Sequence, residues 1–233
     1  MRPNDSIGSL QPLANYKLLI FDCDGVILDS NAVKTEAFRK LAEPFGSAVT
    51  ERFIKYHRDN GGISRYVKLR QLLDLGGVAQ QDRRLAALLD AFAAAVRQGL
   101  MHCPVAADLE RLRTVTADAR WAIASGGDQE ELRDVLSARG LSVLFDAGIH
   151  GSPTAKVEHV RRLVAEHAGT PSTALMLGDS RLDHEAAAAC GTDFLFLSDW
   201  TDYDDWQAYV GRHGLPAYPK VSTLLAGTKD AGR

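Results

Sequence analysis

Short apolar runs alternate with stretches of helical periodicity along this chain. Four strong runs and one weaker run have the length of buried strands. They are KLLIFD (17–22), RWAIAS (120–125), STALMLGD (172–179), DFLFLSD (193–199) and the weaker LFDAGI (144–149). Strand-length runs separated by helical patterns are typical of parallel strands joined by crossover helices. The pattern therefore predicts an α/β core.

The segment 34–101 has a different pattern, because its apolar residues fall only at helical intervals. These residues are Phe38, Leu41, Leu69, Leu72, Leu73, Leu85, Leu88, Leu89, Phe92 and Val96. We interpret the segment as a small α-helical domain inserted into a core made of 1–33 and 102–233. An insertion after the first strand would lie over the carboxyl ends of the strands, where open α/β sheets bind ligands.

Composition narrows the class of protein. The chain has 233 residues, of which 45% are hydrophobic and 24% charged, and these are ordinary globular values. The net charge of −3 gives no basic surface for nucleic acid. No apolar run approaches the roughly 20 residues of a membrane span, and the first residues lack the apolar stretch of a signal peptide. We expect a cytoplasmic protein with no nucleic-acid or membrane partner, and its three cysteines as reduced thiols.

Polar residues follow three of the predicted strands. They are Asp22 and Asp24 after the first, Ser125 and Gly126 after the second, and Asp179 and Asp183 after a later one. The carboxyl ends of parallel strands meet at one edge of a sheet, so these residues should converge on one crevice. Lys156, at the start of a predicted helix, supplies a cation that can reach the same place.

The predicted acidic cluster needs a counter-charge. Carboxylates that share a partly dry site repel one another strongly unless a cation neutralises them. The ligands are oxygens and no His or Cys cluster accompanies them, so Mg²⁺ is the natural candidate.

Each motif also has a simpler interpretation when it is taken alone. An isolated Asp-x-Asp is usually a turn, Ser-Gly-Gly is usually a loop, and Gly-Asp-Ser is a common helix N-cap. Lys156 alone would be a solvated lysine. Cys23 lies between the two acids, but strand alternation points it into the core. The functional interpretation rests on the motifs occurring together.

The ordered set of motifs resembles the haloacid dehalogenase superfamily, in particular its phosphatase and sugar phosphomutase branch with a helical cap. The motifs are FDCDGVILDS (21–30), AIASGG around Ser125, Lys156 in SPTAKVEHV, and LGDSRLDHEAAAACG (177–191). The resemblance covers most of the chain. It implies a Rossmann-like, doubly wound parallel sheet with an inserted helical cap domain.

The resemblance also implies a role for each residue. Asp22 would be the nucleophile that forms an aspartyl phosphate, and Asp24 would move protons. Ser125, Lys156 and backbone N–H groups around Gly126 would stabilise the phosphoryl oxygens. The metal ligands would be Asp22, the backbone carbonyl of Asp24, and Asp179, while Asp183 would hold Lys156 or a metal-bound water.

Two departures bear on the reaction. Sugar phosphomutases usually carry a His where Lys34 stands and a Lys near Asp128, so both residues lower the expectation of a mutase. The presence of Asp24 argues against the dehalogenase branch, which lacks a second acid there. We expect a Mg²⁺-dependent phosphatase acting on a small phosphorylated metabolite such as a sugar phosphate. A phosphomutase and a non-catalytic binding protein of the same fold are the alternatives.

The inserted segment should select the substrate. Within it, Gly62, Ile63, Ser64 and Arg65 resemble a cap loop in which an arginine grips a second phosphate or polar group. Lys34 and His57 are further candidates for substrate binding. The simpler alternative is an exposed helix start with Ser64 as the N-cap.

Three aromatic residues near the C-terminus have helical spacing: Trp200, Tyr203 and Trp206. The spacing predicts one packed helix face. The alternative is a subunit contact in a homo-oligomer, because aromatic residues are enriched at interfaces.

Overall fold

A computed structural model describes residues 10–79 and 81–225. In this part of the chain, six parallel strands form one sheet in the order β3-β2-β1-β4-β5-β6. The strands are β1 (Leu18–Phe21), β2 (Arg120–Asp128), β3 (Ile149–Ser152), β4 (Ala174–Gly178), β5 (Asp193–Leu197) and β6 (Ala217–Tyr218). Strand β1 lies between β2 and β4, and Phe21 at its carboxyl end pairs with Ile123 and Leu177.

Alternating side chains of β1 pack on opposite faces of the sheet. Leu19 and Phe21 contribute to one hydrophobic cluster, and Leu18 and Ile20 contribute to the other. The first cluster is covered by α5 (Leu109–Val115) and α6 (Gln129–Ala138), and the second by α7 (Lys156–Leu163), α8 (Arg181–Cys190) and α9 (Trp206–His213). Helices on both faces confirm the Rossmann-like, doubly wound α/β fold.

The described part of 34–101 is helical and carries no strand, as the sequence predicts. The helices are α1 (Asn31–Ala42), α2 (Ser47–Asp59), α3 (Arg65–Leu75) and α4 (Gln81–His102). Phe38 packs edge-on against Phe53 at 5.6 Å between ring centroids and lies 4.2 Å from Phe92. These rings belong to the same hydrophobic cluster as Phe21, and the inserted helices meet the core at β2 and α6.

The strand predicted at 144–149 is wrong in position. Residues Ser142–Leu144 form a 3₁₀ turn, and β3 begins only at Ile149, where it pairs with Ile123. The turn is fixed because Asp146 accepts a hydrogen bond from the backbone of Trp121 at 2.8 Å. Gly148 follows with a φ of +94°, a conformation that interrupts a strand.

The helix face predicted for the C-terminal aromatic residues is also wrong, because α9 begins at Trp206. Trp200 packs against the cluster on one face of the sheet, whereas Tyr203 and Trp206 pack against the other. The segment passes the edge of the sheet as a loop, and Trp206 stacks on Phe196 at 5.7 Å. A subunit contact through this segment stays a prediction.

None of the helices in the described residues is both long enough and apolar enough to span a membrane.

Candidate active site

The chain turns sharply after β1 and places two acids at the edge of the sheet. The amide of Asp22 donates to the carbonyl of Leu177 at 2.9 Å, which continues the pairing with β4. Cys23 is fully buried in the hydrophobic cluster, as strand alternation predicts. Gly25 follows with a φ of +75°, and a Cβ there would lie 2.1 Å from Oδ2 of Asp179. Only glycine fits this turn, since any side chain would displace the acid of β4.

Three buried carboxylates converge beside this turn. Oxygen atoms of Asp22, Asp179 and Asp183 all lie within 4.8 Å of one another. Asp179 follows β4 directly and accepts a hydrogen bond from Nδ2 of Asn31 at 2.8 Å. Asp183 lies in the first turn of α8, where it forms a capping box with Ser180. The helix start therefore fixes the third carboxylate.

Lys156 supplies a positive charge to this cluster. It is the first residue of α7, its Nζ lies 3.0 Å from Oδ2 of Asp22, and it also forms a short ion pair with Asp183. Burial would lower the pKa of Lys156, but Asp183 and Asp22 raise it above its ordinary value. The lysine is therefore charged, and the structure brings together four predicted site residues at this point.

One lysine leaves the cluster short of positive charge. Burial raises the pKa of Asp22 to about 6 against the opposing effect of Lys156. Burial, followed by Asp183 and Asp22, raises the pKa of Asp179 well above its ordinary value. Ionisation of both carboxylates is therefore energetically unfavourable in this environment. A bound divalent cation would stabilise the ionised form. The donor set, buried oxygens with excess negative charge, fits a hard divalent cation such as Mg²⁺.

Asp24 has a different environment from Asp22. Its carboxylate accepts hydrogen bonds of 2.5 Å from both Ser30 Oγ and Lys34 Nζ. Burial alone would raise the pKa of Asp24, but Lys34 and Ser30 lower it below its ordinary value. Asp24 is therefore ionised while it is paired with Lys34. The predicted substrate-binding role of Lys34 stays a prediction, and its observed partner is the second acid.

Ser125 and Gly126 lie where β2 meets the inserted helices. Ser125 is buried, and its Oγ accepts a hydrogen bond from the amide of Gly127 at 3.1 Å, which leaves its hydroxyl hydrogen free to donate. A Cβ on Gly126 would lie 1.9 Å from the carbonyl oxygen of Gly62. The close approach of the cap loop to β2 thus requires glycine at position 126.

These residues line one cavity between the sheet edge and the inserted helices. Its empty volume is about 680 Å³, counting space that is open to solvent. The core side is formed by Asp22, Asp24, Ser125, Gly126, Asp128, Glu131, Asp179 and Asp202, and the cap side by Lys34, Phe38, His57, Arg58, Gly62, Arg65, Lys68 and Phe92. Lys156 lines an adjoining groove with Gly62 and Gly126.

Arg65 reaches the cavity, but its guanidinium already has acidic partners. It lies 2.8 Å from Oε2 of Glu131 and 3.4 Å from Oδ1 of Asp128. Tyr66 donates to the same Asp128 at 2.7 Å. Arg65 and Tyr66 therefore connect α3 to the start of α6. Ser64 stands at the N-cap position of α3 without a side-chain capping bond.

His57 lies in a buried hydrogen-bonded chain that the sequence analysis did not identify. Its Nε2 lies 2.9 Å from Thr35 Oγ1, and its Nδ1 lies 2.8 Å from Lys68 Nζ. Thr35 in turn donates to Asp202 at 2.8 Å. Burial, followed by Lys68, lowers the pKa of His57 well below its ordinary value, so the ring is neutral. The sequence does contain a sign that Lys68 is special. Lys68 lies between Arg65 and Leu69 on the buried face of α3, where the helical periodicity predicts an apolar residue.

The order of strands and the acids at their carboxyl ends define a Rossmann-like α/β protein with an inserted helical segment. The sequence model of the haloacid dehalogenase-like hydrolases matches residues 16–191 of this chain. The chain therefore belongs to the haloacid dehalogenase-like hydrolase family.

Two solved structures are similar to this chain in fold. A hydrolase from Pseudomonas syringae superposes with a TM-score of 0.71 at 21% identity, covering 93% of this chain and 100% of the other. A predicted phosphoglycolate phosphatase from Haemophilus somnus 129PT gives a TM-score of 0.68 at 16% identity, covering 92% and 99%. At these identities the two structures support the fold.

The chain is also similar in sequence to a protein that is named a kinase, not a phosphatase. Tyrosine-protein kinase PtkA from Mycobacterium tuberculosis is 26% identical over 186 residues, which cover 78% of this chain and 62% of the relative. The match thus spans less than two thirds of that protein's length.

The ion pair between Arg65 and Glu131 yields a stability prediction. The two side chains are 9% and 14% exposed, so Glu131→Gln leaves a largely buried guanidinium with one weaker partner. We expect the free energy of unfolding in urea to fall by about 1–3 kcal/mol. Glu130→Gln, the exposed neighbour, is the matched control and should change it by less than about 0.5 kcal/mol. If the two substitutions lower the free energy of unfolding equally, the ion pair between Arg65 and Glu131 does not stabilise the protein.

Proposed function

We propose that this protein is a Mg²⁺-dependent phosphatase that hydrolyses a small phosphorylated metabolite through an aspartyl phosphate on Asp22. The observation that carries the proposal is the position of Asp22, which is a buried carboxylate at the cavity wall, in contact with Lys156 and next to Asp24. Membership of a hydrolase family and the phosphatase-like fold support it. The helical segment 34–101 is proposed to act as the cap domain, and 1–33 with 102–233 as the core.

In the first step, a carboxylate oxygen of Asp22 attacks phosphorus and the bond to the leaving oxygen breaks. The leaving oxygen takes a proton from Asp24, and the phosphoryl group stays on Asp22. Ser125 Oγ and backbone N–H groups near Gly126 donate to the phosphoryl oxygens. Lys156 offsets their charge while Asp183 holds its ammonium group in place.

In the second step, water attacks the phosphorus of the aspartyl phosphate and passes a proton to Asp24. Inorganic phosphate leaves and the Asp22 carboxylate is restored. The pairing with Lys34 suits Asp24 to this base role, because it favours the ionised form. The acid role in the first step requires a protonated Asp24, so the Lys34 contact must weaken when substrate binds.

The metal would be held by Asp22, Asp179 and the backbone carbonyl of Asp24. Asp183 would hold Lys156 through their ion pair. When bound, Mg²⁺ stabilises the ionised carboxylates and the negative phosphoryl oxygens.

Replacement of the nucleophile tests the proposal directly. Asp22→Asn keeps the shape of the side chain but removes the attacking carboxylate, so phosphate release should fall at least about a thousandfold. The measurement is phosphate release from a panel of phosphorylated metabolites with Mg²⁺ present. Asp118→Asn, at an exposed aspartate outside the site, should retain the wild-type rate. Substantial activity in Asp22→Asn would rule out the aspartyl-phosphate route.

The proposed metal site gives a second prediction. Chelation by EDTA should abolish phosphate release, and added Mg²⁺ should restore it. Asp179→Asn should weaken Mg²⁺ binding measured by calorimetry at least about tenfold, because one charged ligand is lost. Unchanged Mg²⁺ binding in Asp179→Asn, with Asp118→Asn as reference, would remove Asp179 from the ligand set.

Transfer to a protein hydroxyl is a second candidate function, favoured by the likeness to the mycobacterial tyrosine-protein kinase. An aspartyl phosphate can pass its phosphoryl group to a hydroxyl instead of water. Incubation with ATP and a tyrosine-containing polymer distinguishes the two functions. The phosphatase proposal predicts free phosphate from small esters and no phosphotyrosine.

A further inference from the structure

Lys68 is a buried lysine whose charge has no acidic partner among the described residues. It is 4% exposed and lines the cavity from α3. Its Nζ donates to His57 Nδ1 at 2.8 Å, approaches the His57 carbonyl at 3.4 Å, and lies 5.7 Å from the centre of the Phe38 ring. None of these neighbours carries a negative charge, so the ammonium group is left without a counter-ion.

The acids around the cavity are already engaged elsewhere. Asp24 is paired with Lys34, and both Asp128 and Glu131 are paired with Arg65. Asp202 accepts from Thr35 and is separated from Lys68 by three hydrogen bonds. No carboxylate in the described part of the cavity wall thus forms an ion pair with Lys68.

The protein nevertheless holds this lysine in one position. Lys68 donates to His57, and the neutral ring can donate onward to Thr35, which donates to Asp202. The chain of bonds links α3 and α2 to the loop after β5. Burial, followed by the charge of Lys34, lowers the pKa of Lys68 to about 7 against the opposing effect of the more distant Asp24, Asp202 and Asp179. A bound anion would favour the charged form further.

A second cation on the same wall is also incompletely satisfied. Arg58 lines the cavity, and its buried Nε has no hydrogen-bond partner in the described structure. Buried donors usually have partners, and an unpaired one calls for an explanation. A ligand that carries negative charge on the cap side of the cavity would provide partners for both cations.

We propose that Lys68 is the residue through which the cap recognises a second anionic group, a carboxylate or a phosphate, on the phosphorylated substrate. The proposal rests on the phosphatase function above and specifies its substrate class. The phosphoryl group lies at Asp22 on the core side of the cavity, and the second anion lies at Lys68 on the cap side. Arg65 is then the link between cap and core, and the substrate contact predicted for it from sequence passes to Lys68.

The test uses two pairs of phosphomonoesters that differ in one anionic group. They are 3-phosphoglycerate with glycerol 3-phosphate, for a carboxylate, and fructose 1,6-bisphosphate with fructose 6-phosphate, for a second phosphate. For at least one pair, the wild-type protein should give a kcat/KM at least about tenfold higher for the more acidic ester. A charge-assisted hydrogen bond accounts for a factor of about 10–100.

Lys68→Met removes the charge and keeps the length of the side chain. It should lower kcat/KM for the preferred acidic ester about 10- to 100-fold and change that for its partner less than about threefold. Lys40→Met, at an exposed lysine of α1, is the matched control and should keep the wild-type preference. If Lys68 has a purely structural role, Lys68→Met should lower kcat/KM equally for both esters of a pair. That result would overturn the proposal.

If Lys68→Met does not fold, the preference of the wild-type protein between the paired esters still tests the proposal. Release of phosphate without preference in either pair overturns the role of Lys68 and leaves the phosphatase function standing. Failure of the wild-type protein to release phosphate from any ester, including the esters of the wider panel, contradicts the phosphatase function itself and the role of Lys68 with it.

Discussion

Repulsion between buried carboxylates is the constraint on which the rest of the site depends. Asp22, Asp179 and Asp183 come from two adjacent strand ends and the start of a helix, and they meet where water cannot screen their charges. Lys156 neutralises part of the charge, while burial, followed by the neighbouring acids, keeps the pKa values of Asp22 and Asp179 above their ordinary values. Hydrogen bonds from Asn31 and the start of α8 hold two of the carboxylates in place. The remaining negative charge suits the site to a divalent cation, which would in turn attract an anionic phosphoryl group.

The inserted helical segment is joined to the core through close backbone contact and paired charge. Gly126 lets the Gly62 carbonyl approach the end of β2, while Arg65 pairs with acids at the start of α6. Two kinds of cation therefore face the cavity. Within residues 10–79 and 81–225, Lys34 and Arg65 are paired with carboxylates, whereas Lys68 forms no such pair. We therefore assign Lys34 and Arg65 to the organisation of the site, and the proposed ligand contact to Lys68.

Sequence reasoning located the parts of the site that depend on local pattern. The apolar runs placed β1, β2, β4 and β5, and the acids after them were expected at one edge because parallel strands share their carboxyl ends. The parts that were missed depend on tertiary partners. Phe145 and Asp146 read as strand residues but form a turn fixed by Trp121. The pairing of Arg65 with Glu131, 66 residues away, has no local sequence pattern that would reveal it. The two-residue strand β6 is too short to give a sequence pattern.

The central claim is that Asp22 carries the phosphoryl group during turnover. Acid quenching of the reaction in the steady state, followed by borohydride reduction and mass spectrometry of the peptides, identifies the phosphorylated carboxylate. The proposed mechanism predicts that Asp22 is reduced to homoserine only when both substrate and Mg²⁺ are present. Reduction at another carboxylate, or turnover with Asp22 unmodified, would contradict it.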